Sequence, residues 1–222
     1  MPRALTIRIT ASIRPSLMRA RCADKHAPQP SAVEHRILNI ESLAIDGVKL
    51  ITPRRFADSR GFFVETYNRK TIAAAEITTT FVQDNQSLST RRGTIRGLHF
   101  QLAPEPQAKL VRVMAGSVYD VAVDLRTGSA TYGQWCGTTL TAAVGEQLFI
   151  PVGFAHGFCT LEDDTMVAYK VDGFYAKGCE AGIRWDDPDI AIDWPIAAAD
   201  VQVSEKDAVL PLLRDAKTPF AF

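Results

Sequence analysis

Histidine, cysteine and net charge are all scarce in this chain. Four histidines occur in 222 residues, and two of them, His26 and His35, lie in a segment without strand or helix patterning. A folded site therefore has only His99 and His156 for imidazole chemistry. The four cysteines, Cys22, Cys136, Cys159 and Cys179, form no CxxC pair and no metal-ligand spacing. A domain of this length holds a core without disulfide staples, so they read as reduced thiols of a reducing compartment, the cytoplasm. The formal net charge is zero at pH 7, which removes the electrostatic case for a nucleic-acid partner. No run approaches the roughly 20 apolar residues of a membrane span, so no membrane partner is expected either.

That zero hides an asymmetry. Residues 1–40 carry seven Lys/Arg against two Asp/Glu, a net of +5, which leaves −5 for the remainder. The opening MPRALTIRITASIRPSLMRAR is arginine-spaced and free of acids before Asp24, a transit-peptide composition without the apolar stretch of a secretory signal. It reads as a poorly ordered extension over 1–40, with Met18 as an internal candidate start. One domain over 41–222 follows.

In that domain the pattern is of short, turn-punctuated strands. Two strand-like runs flank Asp46-Gly47, a hairpin signal. Asp58-Ser59-Arg60-Gly61 reads as a turn before a strand over Phe62–Thr66. A short helix is expected over 68–77, with β-branched composition returning at Thr78–Phe81. Strands are then expected near 110–114, 118–125, 132–140, 147–150, 158–161 and 165–171, with turn signals such as Ala115-Gly116 and Arg126-Thr127-Gly128 between them. Many short strands without intervening helices point to an all-β jelly roll or barrel with a few short helices. The tail from Gly182 is expected to wrap it, with Ser204 capping a short helix that holds Asp207 at its third position.

The stretch GTIRGLHFQ (93–101) concentrates the chemistry. It reads as a strand with Arg96 and His99 three residues apart. Strict alternation would send the two to opposite faces, and a bulge at Gly97 is one way to bring both into one cavity. A strand histidine on its own is more often an ordinary hydrogen-bonded residue. Gly145-x5-Pro151-x-Gly153-x2-His156 resembles the second cupin motif, although Thr160 stands where asparagine is usual. The first cupin motif wants H-x-H, and the chain has His99-Phe100-Gln101 instead. With two histidines and Glu105 as the nearest acid, a metal-dependent cupin oxygenase, which needs about three such ligands, has little support. A metal-free cavity explains more residues: an imidazole base, a phenol and cations suit proton abstraction beside a carbonyl. Tyr169 shares a strand face with Val167 and Val171, so it is either a barrel-lining aromatic or the acid of such a site. Lys109 alternates with Val111 and Val113, an odd place for an ammonium unless something anionic is near; otherwise it is a strand-start lysine reaching solvent.

Taken together, DSRGFFVETYN, FVQDNQS, GTIRGLHFQ, QAKLVRVMAGSVYDVAVDLR, YGQW, QLFIPVGFAHGF, AGIRWDDPDI and SEKDAVLPLL resemble the dTDP-4-dehydrorhamnose 3,5-epimerase family, in the family's order from about residue 41 to 213. The resemblance implies a metal-free, cofactor-free cupin, a cytoplasmic homodimer that exchanges residues near 41–65 by sheet extension. It implies His99 as catalytic base, Asp207 as its orienting partner, Tyr169 as the opposing acid and Lys109 beside the C4 oxygen. It implies nucleotide-sugar contacts from Arg60, Glu65, Gln83, Asp84, Asn85, Arg96, Lys109, His156, Glu180 and Lys206, with Arg60, Arg96 and Lys206 facing a diphosphate. The implied reaction inverts C3 and C5 of dTDP-4-dehydro-6-deoxy-D-glucose to give dTDP-4-dehydro-L-rhamnose. Relatives that invert one centre share the base and acid, so a mono-epimerase is the alternative; a catalytically inert sugar-nucleotide binder is a third. The family commonly has QDNHS where this chain has Gln83-Asp84-Asn85-Gln86-Ser87.

Overall fold

The structure, a computed structural model, describes residues 38–222. The extension expected over 1–40, including Met18 and Cys22, lies outside the described residues apart from Leu38–Ile40, which open the first strand. The chain begins with a hairpin of β1 (Leu38–Ser42) and β2 (Lys49–Pro53), in which Ile40 pairs with Ile51. Gly47 in its loop has φ +93°, a conformation that glycine adopts without a Cβ penalty. A second hairpin, β3 (Arg55–Asp58) and β4 (Gly61–Val64), forms a small sheet of its own. Helix α1 (Arg69–Ala73) follows, its first turn capped by the Asn68 side chain, which accepts from the Lys70 N–H. It stops short of the expected 77 because Glu76 takes a left-handed φ of +62°.

Nine strands come next: β5 (Gln83–Ser89), β6 (Ile95–Gln101), β7 (Lys109–Ala115), β8 (Ser117–Asp124), β9 (Arg126–Thr127), β10 (Trp135–Thr141), β11 (Gln147–Ile150), β12 (Phe154–Thr160) and β13 (Thr165–Val171). The tail contributes β14 (Glu180–Gly182), α2 (Glu205–Ala208) and β15 (Phe220–Ala221). Two antiparallel sheets result, a six-stranded one in the order β1-β2-β11-β7-β13-β5 and a five-stranded one in the order β10-β8-β12-β6-β14. This is the cupin-type jelly roll that the strand pattern implies.

Alternation along the strands sorts the apolar residues into layers. Val111, Val113, Val118, Ala122, Leu148, Phe158 and Val167 come from both sheets and form one buried cluster, with Tyr169 packed at its margin. The opposite face of the five-stranded sheet offers Leu98, Phe100, Val121 and Val123 to the C-terminal tail, which covers them with Ile183, Trp194, Leu213 and Phe220. A third cluster sets Ile72 and Ile77 against Ile51, Leu110 and Phe149. Each such side chain contributes about 1.5–3 kcal/mol when withdrawn from water.

Three details depart from the sequence pattern. Thr78–Phe81 belongs to no ladder, and the strand there starts at Gln83. Residues 132–134 form a turn, so β10 begins at Trp135. β12 opens at Phe154, four residues ahead of the expected start, carrying His156 into the five-stranded sheet.

Candidate active site

The site begins with an irregularity in β6. Opposite it on β12, His156 pairs with His99 and Phe158 pairs with Arg96. Two residues of β6, Gly97 and Leu98, therefore face one residue of β12, Gly157: a bulge. Glycine is required on both strands. A Cβ on Gly97, whose φ is +129°, would lie 2.6 Å from Gly157 Cα and 2.8 Å from the His156 carbonyl oxygen. A Cβ on Gly157 would lie 2.9 Å from the Arg96 carbonyl oxygen. The bulge brings Arg96 and His99 to one cavity, of about 500 Å³, which Lys109, His156, Tyr169, Lys206 and Asp207 also line. A second cavity of about 240 Å³ shares His99, Lys109 and Tyr169 with the first and adds Gln83, Asn85, Tyr175 and Glu180. The two are halves of one trough, with the imidazole, ammonium and phenol at their junction.

Asp207 reaches the trough from the tail. The Ser204 side chain accepts from the Asp207 N–H at 3.0 Å and caps α2, as the sequence suggests. The tail is laced to the mouth of β6 by Ile95 N–H donating to the Gln202 carbonyl and Gln202 N–H donating to that of Gly93. Asp207 Oδ1 then stands 2.7 Å from His99 Nε2, and Oδ2 accepts a longer bond, 3.5 Å, from the Gly97 N–H. Burial pushes the Asp207 carboxyl upward, but the His99 hydrogen bond and charge outweigh it, with help from Gly97 and Ser204, and leave the acid below its ordinary value. Because Nε2 is engaged, Nδ1 is the His99 nitrogen left to exchange a proton with a ligand.

Lys109 Nζ donates to the His99 carbonyl at 3.2 Å. Burial drives the ammonium down to about 8, against the opposing pull of Asp120 and Glu180. Burial also raises the Tyr169 phenol above its ordinary value, partly countered by Arg96, so Tyr169 keeps its proton across the neutral range. Arg96 is held by Ser89 Oγ at 3.1 Å and the Leu88 carbonyl at 2.9 Å. Across the second cavity, Lys206 pairs with Glu180, which also accepts from the Tyr175 hydroxyl at 3.2 Å.

His156 is buried and bonded through Nε2 to Asp120 Oδ1 at 2.9 Å. Burial holds its imidazole below the usual range despite the pull of Asp120, so it stays neutral. Sequence reasoning passed over Asp120. The signal was there, an acid at a core-facing position between Val118 and Ala122, where a charge survives only with partners. Tyr175 was also missed, hidden in a loop that no periodicity marks.

Three of the expected ligand contacts do not reach the trough within one chain. The Arg60 side chain is 88% exposed and paired with Asp58. Glu65 is bonded to Asn68 and Thr71. Asp84 points to the outer side of β5, where it pairs with Lys170 at 2.8 Å; alternation puts only its neighbours Gln83 and Asn85 inside. Gln83, Asn85, Arg96, Lys109, His156, Glu180 and Lys206 do line the trough.

The cupin fold raises the question of a metal. Among the described residues, no group of three or more His, Cys, Asp and Glu side chains is arranged to hold one. Both imidazole Nε2 atoms are spent on aspartates, and Gln101 is bonded to backbone groups of Glu105, Phe174 and Ala176. The donor set does not fit the group.

Comparison with known proteins agrees with the fold and the motifs. The family model for dTDP-4-dehydrorhamnose 3,5-epimerase matches residues 42–215. The dTDP-4-dehydrorhamnose 3,5-epimerase of Sinorhizobium fredii is 48% identical over 182 residues, 82% of this chain and 93% of that one. A dTDP-4-dehydrorhamnose 3-epimerase from Streptomyces niveus is 39% identical over 78% of this chain and 84% of its own. The crystal structure of the Legionella pneumophila dTDP-6-deoxy-D-glucose-3,5-epimerase in complex with dTDP-4-keto-L-rhamnose superposes with a TM-score of 0.77 at 45% identity, covering 81% of this chain and 95% of that one. With motifs, architecture and sequence identity in agreement over most of its length, the chain belongs to the dTDP-4-dehydrorhamnose 3,5-epimerase family of isomerases.

Proposed function

We propose that the protein inverts C3 and C5 of dTDP-4-dehydro-6-deoxy-D-glucose to form dTDP-4-dehydro-L-rhamnose. Both carbons flank the C4 ketone, so their hydrogens are acidified by the same carbonyl. His99 Nδ1 removes the proton, the Asp207 carboxylate stabilises the imidazolium that forms, and Lys109 donates to the C4 oxygen as it becomes an enolate. Tyr169 returns a proton from the other face, which inverts the centre, and a ring flip presents the second carbon to the same base. Arg96 and Lys206 pair with the diphosphate, the guanidinium in bidentate fashion. Neither a metal nor a redox cofactor is needed, because the ketone is the electron sink.

One observation carries this reading: His99 and Tyr169 line the same two cavities, so one hexose can lie between base and acid. Cytoplasmic function fits the buried free thiols Cys136, Cys159 and Cys179. The working unit is a homodimer in which the β3–β4 hairpin crosses to the partner and carries Arg60 and Glu65 to its trough. Phe62 and Phe63 on that hairpin are 56% and 69% exposed in the single chain, which is what an exchanged segment requires.

The test is to follow the 4-keto substrate by NMR in heavy water. Deuterium should enter at both C3 and C5. Incorporation at a single carbon would reassign the protein as a mono-epimerase, the activity named for the Streptomyces niveus relative.

A further inference from the structure

The amine of Lys109 is in an unusual position. Its aliphatic stem starts β7 among core valines, its Nζ has a single backbone acceptor, the His99 carbonyl at 3.2 Å, and no ion pair to it is formed among the described residues. It opens onto both halves of the trough. The titratable groups facing it are His99 on β6, Asp120 on β8, His156 on β12, Tyr169 on β13 and Glu180 on β14. None of the carboxylates is within salt-bridge reach. Asp120 gives Oδ1 to His156 and keeps a buried, unpartnered Oδ2 that draws on the ammonium only at longer range, and Glu180 is paired with Lys206 and Tyr175. A primary amine without an ion pair among the described residues, in a cavity walled by a phenol and two imidazoles, has the equipment for imine formation.

We propose that Lys109 is a carbonyl-condensing residue that takes small aldehydes bearing an anionic group into reversible imine linkage. The Lys109 nitrogen attacks the carbonyl carbon, and a C–N bond forms while the carbonyl electron pair moves to oxygen and picks up a proton. The resulting carbinolamine expels that oxygen as water, leaving C=N; amine and aldehyde become imine and water. Tyr169 and His156 line the same cavity as Lys109 and are the groups available to exchange protons with that oxygen. Arg96 and Lys206, which line the larger cavity with Lys109, provide the anion site. The consequence is an inhibitory mode separate from epimerisation, in which a phosphorylated aldehyde occupies the trough covalently. It does not depend on which sugar the enzyme inverts.

Burial supplies the kinetic selectivity. With its pKa near 8, Lys109 carries on the order of 10²-fold more neutral amine at pH 7 than an unperturbed lysine of about 10.4. Part of that gain is lost to lower intrinsic nucleophilicity. The experiment treats the full-length protein with pyridoxal 5′-phosphate, quenches with borohydride, which delivers hydride to the imine carbon, and maps the reduced adducts by peptide mass spectrometry. At pH 7 the peptide containing Lys109 should be marked at least tenfold faster than those containing the exposed Lys70 and Lys177. The rate at Lys109 should rise through pH 8, and pyridoxal, which lacks the phosphate, should react more slowly. Lys109→Arg keeps the charge without an amine and should lose that adduct alone. Marking confined to exposed lysines, with Lys109 unmodified in the wild type, would overturn the proposal whether or not the variant folds. Equal rates with pyridoxal would remove the anion site from it. Epimerase turnover is not measured, so this outcome is independent of the activity proposed above.

Discussion

Asp207 does two jobs with one carboxylate: Oδ1 holds the His99 ring and Oδ2 reaches the bulged Gly97 N–H. Asp207→Asn keeps the shape but replaces an acceptor by an amide whose NH₂ would donate to Nε2. That forces the proton of the neutral ring onto Nδ1, the nitrogen that has to be empty. We expect kcat to fall by on the order of 10²–10⁴, the worth of a positioned general base, with KM little changed. Steady-state kinetics on a variant of native circular dichroism checks it; a loss under threefold would remove Asp207 from the orienting role. Tyr169→Phe separates the two half-reactions. In the proposed mechanism deuterium wash-in requires only His99, whereas inversion also requires the opposite donor, so product formation should slow by at least tenfold more than exchange. Equal slowing would mean that one residue serves both faces. At this scale most of the residues that the structure gathers around the trough could be read in advance. His99 stood out because imidazole is scarce, and Asp207 and Tyr169 through family motifs. The side of β5 on which Asp84 lies could not be read in advance, because a polar strand gives no clue to which side faces in.

Polar β5 shows the same limit for whole elements. Its sequence, QDNQSLS, has no apolar face, since it is an edge strand whose Gln83 and Asn85 line the trough and whose Asp84 and Gln86 are exposed on the other side. Hydrophobic periodicity is silent for such a strand. By contrast, β6 advertised its own defect, because a glycine between strand residues of opposite duty signals a bulge. Gly97→Ala tests how much the site depends on it. The added methyl would sit 2.6 Å from Gly157 Cα and 2.8 Å from the His156 oxygen, both backbone atoms that cannot rotate away, and the φ of +129° disfavours any Cβ. β6 and β12 must part, which shifts His99 from Asp207. We expect a loss of about 2–4 kcal/mol in urea unfolding, the scale of core overpacking plus backbone strain, and a fall in kcat larger than the change in KM. Unchanged stability would mean that the ladder tolerates closer registers than the geometry indicates.

At the scale of the whole molecule, a buried ionic hub ties the C-terminus to the five-stranded sheet. Asp124 is fully buried and accepts from Arg126, Ser129 and Thr131. Arg126 in turn lies over the rings of Phe154 and Phe222, at 4.6 and 4.9 Å, and so fastens the C-terminus to β12. Burial raises the Asp124 carboxyl, but those hydrogen bonds overcome it and bring it down to about 2. A carboxyl depressed in the folded state adds stability that is complete above the unfolded value near 3.8 and disappears as pH falls through about 2. The shift corresponds to about 2 kcal/mol. Asp124→Asn, which leaves Arg126 without its counter-ion, should cost at least that much at pH 7 in urea unfolding. The gap from wild type should narrow between pH 4 and pH 2, and a gap independent of pH would assign the loss to packing.

The assembly is the level at which a single chain tells least, because a surface meant for a partner looks like any exposed surface. The β3–β4 hairpin is distinctive. It is paired only with itself, yet it presents Phe56, Phe62 and Phe63 to solvent, with Arg54 and Arg55 stacked on two of the rings. Burying one phenylalanine contributes about 1.5–3 kcal/mol, so losing both rings from both protomers removes much of what would offset the entropic cost of association. Phe62→Ser with Phe63→Ser should therefore convert a dimer into monomers at micromolar concentration in sedimentation velocity. If the hairpin carries Arg60 and Glu65 to the partner's trough, turnover should fall with the dimer fraction while each monomer keeps its fold. Arg60→Ala on its own should then raise KM in an intact dimer, since it removes a diphosphate contact and no apolar surface. A wild-type protein that sediments as a monomer with full activity would show that each trough is complete by itself and that the hairpin serves some other contact.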